Sequence, residues 1–204
     1  MNRWFGGVST TRDLIQRVAC STGKKQFSVL DVAAAFGEVT ALAGKALTRR
    51  GITLDLTLLD RAPCHLRRGT PSLVADALAL PFRDGSFDLV SCNLFAHHLA
   101  PPDLATFAKE AMRVSRHALL INDLVRHRLH LALVYAGFPL MRSKVSRLDG
   151  VASVRRAYVP EEIQGILASP FPSQTAPQIE IFRHFLFRMG VIVWKDPSGT
   201  GPGA

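Results

Sequence analysis

Three aspartates, Asp31, Asp60 and Asp76, each stand where an apolar run gives way to a loop. Asn93, His97 and His98 follow a fourth such run, and Asn122 and Asp123 follow a fifth. If the runs are strands of one parallel sheet, these groups gather at its carboxyl edge, where open α/β sheets bind their ligands. Carboxylates suit hydroxyls, amines and a positive charge, and they oppose a phosphate. The histidines add groups that take up protons near neutral pH. Such a set suits a ligand that lacks phosphates and carries its own positive charge, with a general base nearby. Any one carboxylate taken alone is equally a helix cap or a loop turn.

The elements that must position these residues follow from the pattern of apolar residues. "STTRDLIQRVAC" has Thr10 and Asp13 at capping-box spacing, then Leu14, Ile15 and Val18 on one face, which predicts a short leading helix starting near Thr10. "QFSVLDVAA" is apolar with almost no alternation, as in a parallel strand covered on both faces. "GEVTALAGKALTRRG" predicts a helix stopped by Gly51. Strands follow in "ITLDLTLLD", "PSLVADALALPF", "FDLVSCN" and "HALLINDL", and a helix in "PPDLATFAKEAMRVS". "YVPEEIQGILAS" reads as a capped helix and "QIEIFRHFLFRMGVIVWK" as further strand material. The expected fold is α/β, Rossmann-like and doubly wound, with a mostly parallel sheet of about seven strands and helices on both faces. Residues 1–195 are expected to form one domain, with a disordered tail over 196–204.

The first strand-turn-helix, "VLDVAAAFGEV", excludes one ligand class. The dinucleotide fingerprint G-x-G-x-x-G would fall on Ala33, Ala35 and Glu38, and all three positions fail it. "VLDVAAAFGEV" instead resembles the first motif of class I S-adenosylmethionine-dependent methyltransferases, commonly "LDVGCGTG". "DALALPFRDGSFDLVSCNLFAHHL" resembles that family more specifically, through its "D-A-x-x-L-P-F-x-D-x-S-F-D-x-V" run. The likeness covers about Phe27 to Leu124, and "SVRRAYVPEEI" is similar to small-molecule members of ubiquinone and menaquinone biosynthesis.

The resemblance implies S-adenosylmethionine as cofactor. Asp60, with Arg61 beside it, would meet the ribose hydroxyls. Asp76 and the Ala77 N–H would meet the adenine, Asp31 would order the loop and the methionine end, and the backbone after Asn93 would hold the ammonium. Asp60 lies twenty-three residues past Gly37, near the spacing of the ribose acid in a βαβ unit. The family places glycines at 33 and 35, where this chain has alanine. Ala33 reads as a mild change. Ala35 matters more: if that position needs positive φ, its Cβ costs on the order of 1–3 kcal/mol, or roughly 10- to 100-fold in affinity. Gly37 is retained.

Methyl transfer from a sulfonium chiefly requires alignment and exclusion of water, with a base where the acceptor carries a proton. His98 is the favoured base and His97 the second candidate, both at the mouth of the site; a loop-shaping role for His98 stands beside that reading. His127 and Asp123 are weaker candidates, and His65, His117 and His184 read as surface or core residues. The segment 125–160 is expected to form a substrate lid, with Leu129, Leu131, Leu133, Val134, Tyr135, Phe138, Leu140 and Met141 lining a cavity, or else forming a core helix. The acceptor is then a small aromatic or lipid-like molecule, methylated on oxygen or carbon, with arginines of the segment suited to a carboxylate or phenolate on it.

Bulk properties bound the rest. The 204 residues carry a net charge of +9, and residues 125–160 hold seven Arg or Lys against one acid, Asp149. That excess fits nucleic acid, an anionic surface, an acidic substrate or a solvated face. Cys20, Cys64 and Cys92 are widely spaced and read as reduced thiols of a cytoplasmic protein, and no metal site is apparent. No run is long enough to span a bilayer. A nucleic-acid methyltransferase lacks its D/N-P-P-Y/F signature here, since "NLFA" follows the fourth strand. A non-catalytic methyltransferase-like partner protein is the other rival, with Ala33 and Ala35 in its favour and Asp60 and Asp76 against it.

Overall fold

The computed structural model describes residues 6–66, 69–138, 144–184 and 187–195. Helix α1 (Gly7–Thr22) leads into strand β1 (Gln26–Val32), helix α2 (Glu38–Thr48) and strand β2 (Thr53–Asp60). Short β3 (Ser72–Val74) precedes β4 (Phe87–Asn93), a 3-10 turn at Ala96–His98, α3 (Pro101–Val114) and β5 (Ser115–Leu124). Helices α4 (Arg128–Ala136), α5 (Lys144–Arg156) and α6 (Pro160–Ala168) follow, and β6 (Ile179–His184) and β7 (Arg188–Trp194) close the described chain.

The seven strands form one sheet in the order β3-β2-β1-β4-β5-β7-β6, with β7 antiparallel to both of its neighbours and the rest parallel. Strand order reverses between β1 and β4, which run side by side from Val29 opposite Leu89 to Val32 opposite Cys92. The connections from these two strands diverge to opposite sides, and a crevice opens at their carboxyl ends.

The near-continuous apolar strands are explained by two cores. Leu30, Val32, Val90, Cys92, Leu119 and Ile121 pack on one face with Phe107 and Ile163. Val29, Leu89, Ala118, Leu120 and Ile192 pack on the other with Leu14, Val18 and Leu47. Successive residues of β1 and β5 thus serve opposite cores, and neither face can be polar.

Two local expectations are corrected. Helix α1 starts three residues before Thr10, behind Gly6 in the left-handed conformation (φ 77°). Thr10 is therefore a buried helical residue whose hydroxyl has no partner among the described residues, not a cap. Leu129, Leu133 and Tyr135, expected to line a cavity or form a core helix, face solvent instead, and no residue of α4 is buried. Residues 139–143 and the tail 196–204 lie outside the described residues, so Leu140, Met141 and the expected tail are not placed. Among the described residues no helix is long and apolar enough to cross a membrane.

Candidate functional site

The β1–α2 loop carries the backbone geometry on which a ligand would rest. Ala33 (φ 52°), Ala35 (φ 47°) and Gly37 (φ 62°) all occupy the left-handed region. Ala33 is thus as strained as Ala35, contrary to the mild reading of that position. Three hydrogen bonds hold the loop: Ala34 N–H to Leu59 O (3.1 Å), Ala35 N–H to Asp60 Oδ2 (3.0 Å) and Gly37 N–H to Ala34 O (2.7 Å). Position 37 favours glycine, because a Cβ there would lie 2.5 Å from Leu58 Cδ2 and that side chain would have to shift.

Asp60 ends β2 next to this loop and is buried. Its Oδ1 accepts from the Ala62 N–H (2.9 Å) and lies 3.2 Å from His65 Nδ1. His65, read from sequence as a residue without a role, therefore sits beside the candidate ribose acid. Phe36 projects from the loop tip, 59% exposed, with its ring centroid 6.5 Å from that of His65. Neither residue gave a usable signal in the sequence. A lone aromatic and a lone histidine in two loops have no spacing that ties them together.

Asp76 is exposed just past β3, where its Oδ1 accepts from the Leu78 N–H (2.9 Å), and Ala77 is buried beside it. Arg61 is exposed at the end of β2. Asp31, Asp60 and Asp76 thus leave the adjacent strands β1, β2 and β3 on the same edge of the sheet.

A buried polar seam lies under the crevice. The Asn93 carboxamide donates to Asp31 Oδ1 (3.2 Å) and Thr40 Oγ1 (3.1 Å), and its oxygen accepts from Thr11 Oγ1 (2.6 Å). Asn122 Nδ2 donates to Gly7 O and to Thr11 Oγ1 (both 2.8 Å), while Asn122 Oδ1 accepts from the buried Arg188 guanidinium (2.7 Å). Burial pushes the Asp31 carboxyl up to about 7, and the hydrogen bonds from Thr40 and Asn93 only partly oppose it. Near neutral pH this group holds a proton part of the time, and a nearby cation would displace that proton. Just past Asn93 the chain turns through Leu94 at φ 54°, whose N–H is bonded to Asn122 O (2.8 Å). An incoming ammonium would therefore meet carbonyl oxygens there.

The two histidines part company. His97 is buried, contrary to its expected place at the mouth. Its Nδ1 lies 2.6 Å from Asp123 Oδ1, and its backbone N–H donates to Asp123 Oδ2 (3.1 Å). Asp123, a weak candidate on sequence grounds, is thus the partner that fixes the turn after β4. The Nε2 of His97 is buried with no partner among the described residues. His98 is exposed, its ring centroid 4.2 Å from that of His97. Partial burial, then the neighbouring His97, lower its pKa from the ordinary histidine value, so the neutral, proton-accepting form prevails at pH 7.

His127 caps α4, its Nδ1 accepting from the Leu129 N–H (3.1 Å), and stacks on Phe187. An open depression of roughly 540 Å³ beside α3 and α6, bordered by Pro101, Arg126, Tyr158, Glu162 and Ile166, includes none of the three aspartates. Among the described residues no group of His, Cys, Asp or Glu is placed to hold a metal ion.

Residues 30–118 match a family model described as a methyltransferase domain. No curated protein matches the chain significantly in sequence. Among solved structures, a SAM-dependent methyltransferase from Aquifex aeolicus superimposes with a TM-score of 0.59 at 15% identity, covering 91% of this chain and 89% of that one. The plantazolicin methyltransferase BamL, solved with a triazolic desmethylPZN analog and SAH, gives a TM-score of 0.68 at 12% identity over 93% and 85%. The PH0226 protein of Pyrococcus horikoshii gives 0.58 at 15% over 95% and 97%. The fold is therefore that of the class I methyltransferases, and its strand order is theirs.

The left-handed alanines generate a test. Left-handed φ costs a residue with a Cβ about 1–2 kcal/mol, and glycine returns about 0.5–1 kcal/mol of that through its unfolded-state entropy. The A33G/A35G double variant is expected to be more stable than the parent by about 1 kcal/mol in urea unfolding, where Ala→Gly is ordinarily destabilising. A loss of stability would show that the alanine methyls pack and that the loop is unstrained.

Proposed function

We propose that the protein is a class I S-adenosylmethionine-dependent methyltransferase acting on a small aromatic or lipid-like acceptor. The observation that carries the reading is the carboxyl edge of β1, β2 and β3. Three carboxylates leave it in strand order around a left-handed loop, inside the segment that matches the methyltransferase-domain model. Glu38, at the first turn of α2, disfavours a phosphate-bearing dinucleotide. A sulfonium nucleoside carrying its own positive charge suits the same carboxylates. The cofactor supplies an electrophilic methyl group and a neutral leaving group.

In this reading Asp60 exchanges part of its present hydrogen bonding for the two ribose hydroxyls, with Phe36 and His65 flanking the sugar and base. Asp76 and Ala77 take the adenine edge. Asp31 and the Asn93–Leu94 backbone take the ammonium, and Arg61 borders the ribose side. His98 accepts the acceptor's proton, while His97, fixed by Asp123, sets the turn that presents it. The helices α4 and α5 cover the acceptor side as a lid. The likeness of "SVRRAYVPEEI" to the quinone-biosynthesis members favours a phenolic or isoprenoid-like acceptor, methylated on oxygen or carbon.

Three outcomes are expected. In isothermal titration the protein binds S-adenosylmethionine and S-adenosylhomocysteine, and Asp60→Asn, which keeps an acceptor for the Ala35 N–H, weakens both about tenfold. Affinity weaker than millimolar for both compounds would favour the non-catalytic reading instead.

Asp31 makes S-adenosylmethionine binding pH-dependent. Its carboxyl, raised to about 7, is protonated below that pH, and a cation beside it favours the charged form. Titrations in buffers of different ionisation enthalpy should show close to one proton released per cofactor at pH 6 and almost none at pH 8. Asp31→Asn should abolish the difference, and equal release at both pH values would place the ammonium elsewhere.

Transfer of labelled methyl to a panel of phenolic and long-chain acceptors should identify the substrate class. With that acceptor, His98→Ala is expected to lower kcat about 100-fold and leave S-adenosylmethionine affinity unchanged. Unchanged turnover across the pH range would leave His98 only a loop-shaping role.

A further inference from the structure

Seven large apolar side chains stand exposed among the described residues, and four of them, Leu129, Leu133, Tyr135 and Leu148, lie on α4 and α5. On α4 the exposed residues Leu129, Ala132, Leu133 and Ala136 recur at i, i+3, i+4 and i+7, which places them on one face. Leu129 is 55% exposed and Leu133 48%. The opposite face is the one that holds the helix down. His130 and the capping His127 stack on Phe187, with centroids 5.1 and 4.9 Å apart, and a Cβ on Gly150 of α5 would meet Val134 at 3.5 Å. The apolar stripe is thus turned outward on an anchored helix, with no residue of α4 buried.

The surroundings of the stripe are cationic. Arg128 opens the helix and is exposed. Arg155 is exposed on α5, where it donates to Tyr135 Oη (3.2 Å), and Arg156 is exposed next to it. In the sequence, residues 125–160 hold seven basic residues and one acid, which is six of the nine excess positive charges.

We propose that the outer face of α4, with its flanking arginines, docks the protein onto an anionic lipid surface. A convex stripe of leucine and alanine, flanked by arginine and a tyrosine, has the make-up of a helix lying in the headgroup region of a bilayer. Charge complementarity selects the occupant: each arginine near an anionic bilayer contributes about fivefold to binding. An amphipathic peptide partner would need a groove, whereas this stripe lies on the outward face of one helix that has no buried residue. Helix α4 follows directly from β5, whose end carries Asn122 and Asp123. The proposal goes beyond the transfer reaction and stands without it.

The test is sedimentation of the full chain with vesicles of phosphatidylcholine containing 30% phosphatidylglycerol, against pure phosphatidylcholine. The protein is expected to pellet with the anionic vesicles, to bind the neutral ones at least tenfold more weakly, and to be released in part by 0.5 M salt. The L129E/L133E variant is expected to lose at least tenfold in partitioning while keeping its circular dichroism. Should that variant not fold, R128E/R155E carries the same test, with about a 25-fold loss expected. Failure to bind anionic vesicles, or a folded variant that binds as the parent does, would overturn the proposal. So would concentration-dependent self-association that the variant abolishes while vesicle binding stays absent, which would make the covering partner a second copy.

Discussion

One carboxamide ties the functional edge together. Asn93, at the end of β4, donates toward Asp31 of β1 and Thr40 of α2 and accepts from Thr11 of α1. Four elements, β4, β1, α1 and α2, are thereby joined by side chains at the carboxyl edge, in addition to the backbone pairing of β1 with β4. The seam continues through Asn122 to Arg188 of β7, so a buried cation lies near the buried carboxylates. A polar network of this kind holds its geometry only when its members are satisfied, since each orphan would cost about 1–3 kcal/mol. That requirement fixes the register of the strand ends, and the register places the side chains beyond them.

The loop above the seam works by a similar balance. Left-handed φ at two alanines is unfavourable by about 1–2 kcal/mol each. The bonds from Ala34 to Leu59, Ala35 to Asp60 and Gly37 to Ala34 offset it at about 0.5–1.5 kcal/mol each. Asp60 is thus part of the loop's own support before it is anything to a ligand. Its carboxylate accepts from Ala35 and Ala62 at once, which keeps it oriented and acceptor-rich at the crevice wall. At 37 two effects together favour glycine: the left-handed φ, and the Leu58 methyls that would have to move to admit a Cβ.

Much of this architecture was legible in the amino-acid pattern, for a physical reason. Strands covered on both faces must be apolar at every position, so "FSVLDV" and "HALLIN" announce themselves, and the polar residues that end them mark the edge of the sheet. Pairings across the edge were not legible. His97 and Asp123 are twenty-six positions apart, and their contact exists only because β4 and β5 run in parallel with Asn93 opposite Asn122. His65 and Asp60 are only five apart, yet the 3-10 turn at Pro63–His65 that brings them together has no periodic signature. The start of α1 was misplaced because Ser and Thr suit caps so well that Gly6, which performs the function here without a side chain, went unmarked.

The outward turn of Leu129, Leu133 and Tyr135 follows from the same limit and separates two surfaces of opposite character. "LHLALVYA" is apolar almost throughout, and such a run fits a core helix, a cavity wall or an exposed stripe equally well. Only three-dimensional anchoring decides among them, and it does so through Phe187, which takes the His127 and His130 rings and fixes which face of α4 is turned inward. The outcome leaves acids gathered at the carboxyl edge of β1–β3 and arginines gathered on the α4–α5 hairpin beyond β5. Had the arginines lain around the crevice, they would have opposed a cationic nucleoside. Displaced onto the hairpin, they leave the edge acidic and give the protein a second, cationic face. The net charge therefore says little about the ligand of the crevice and a good deal about what the hairpin meets.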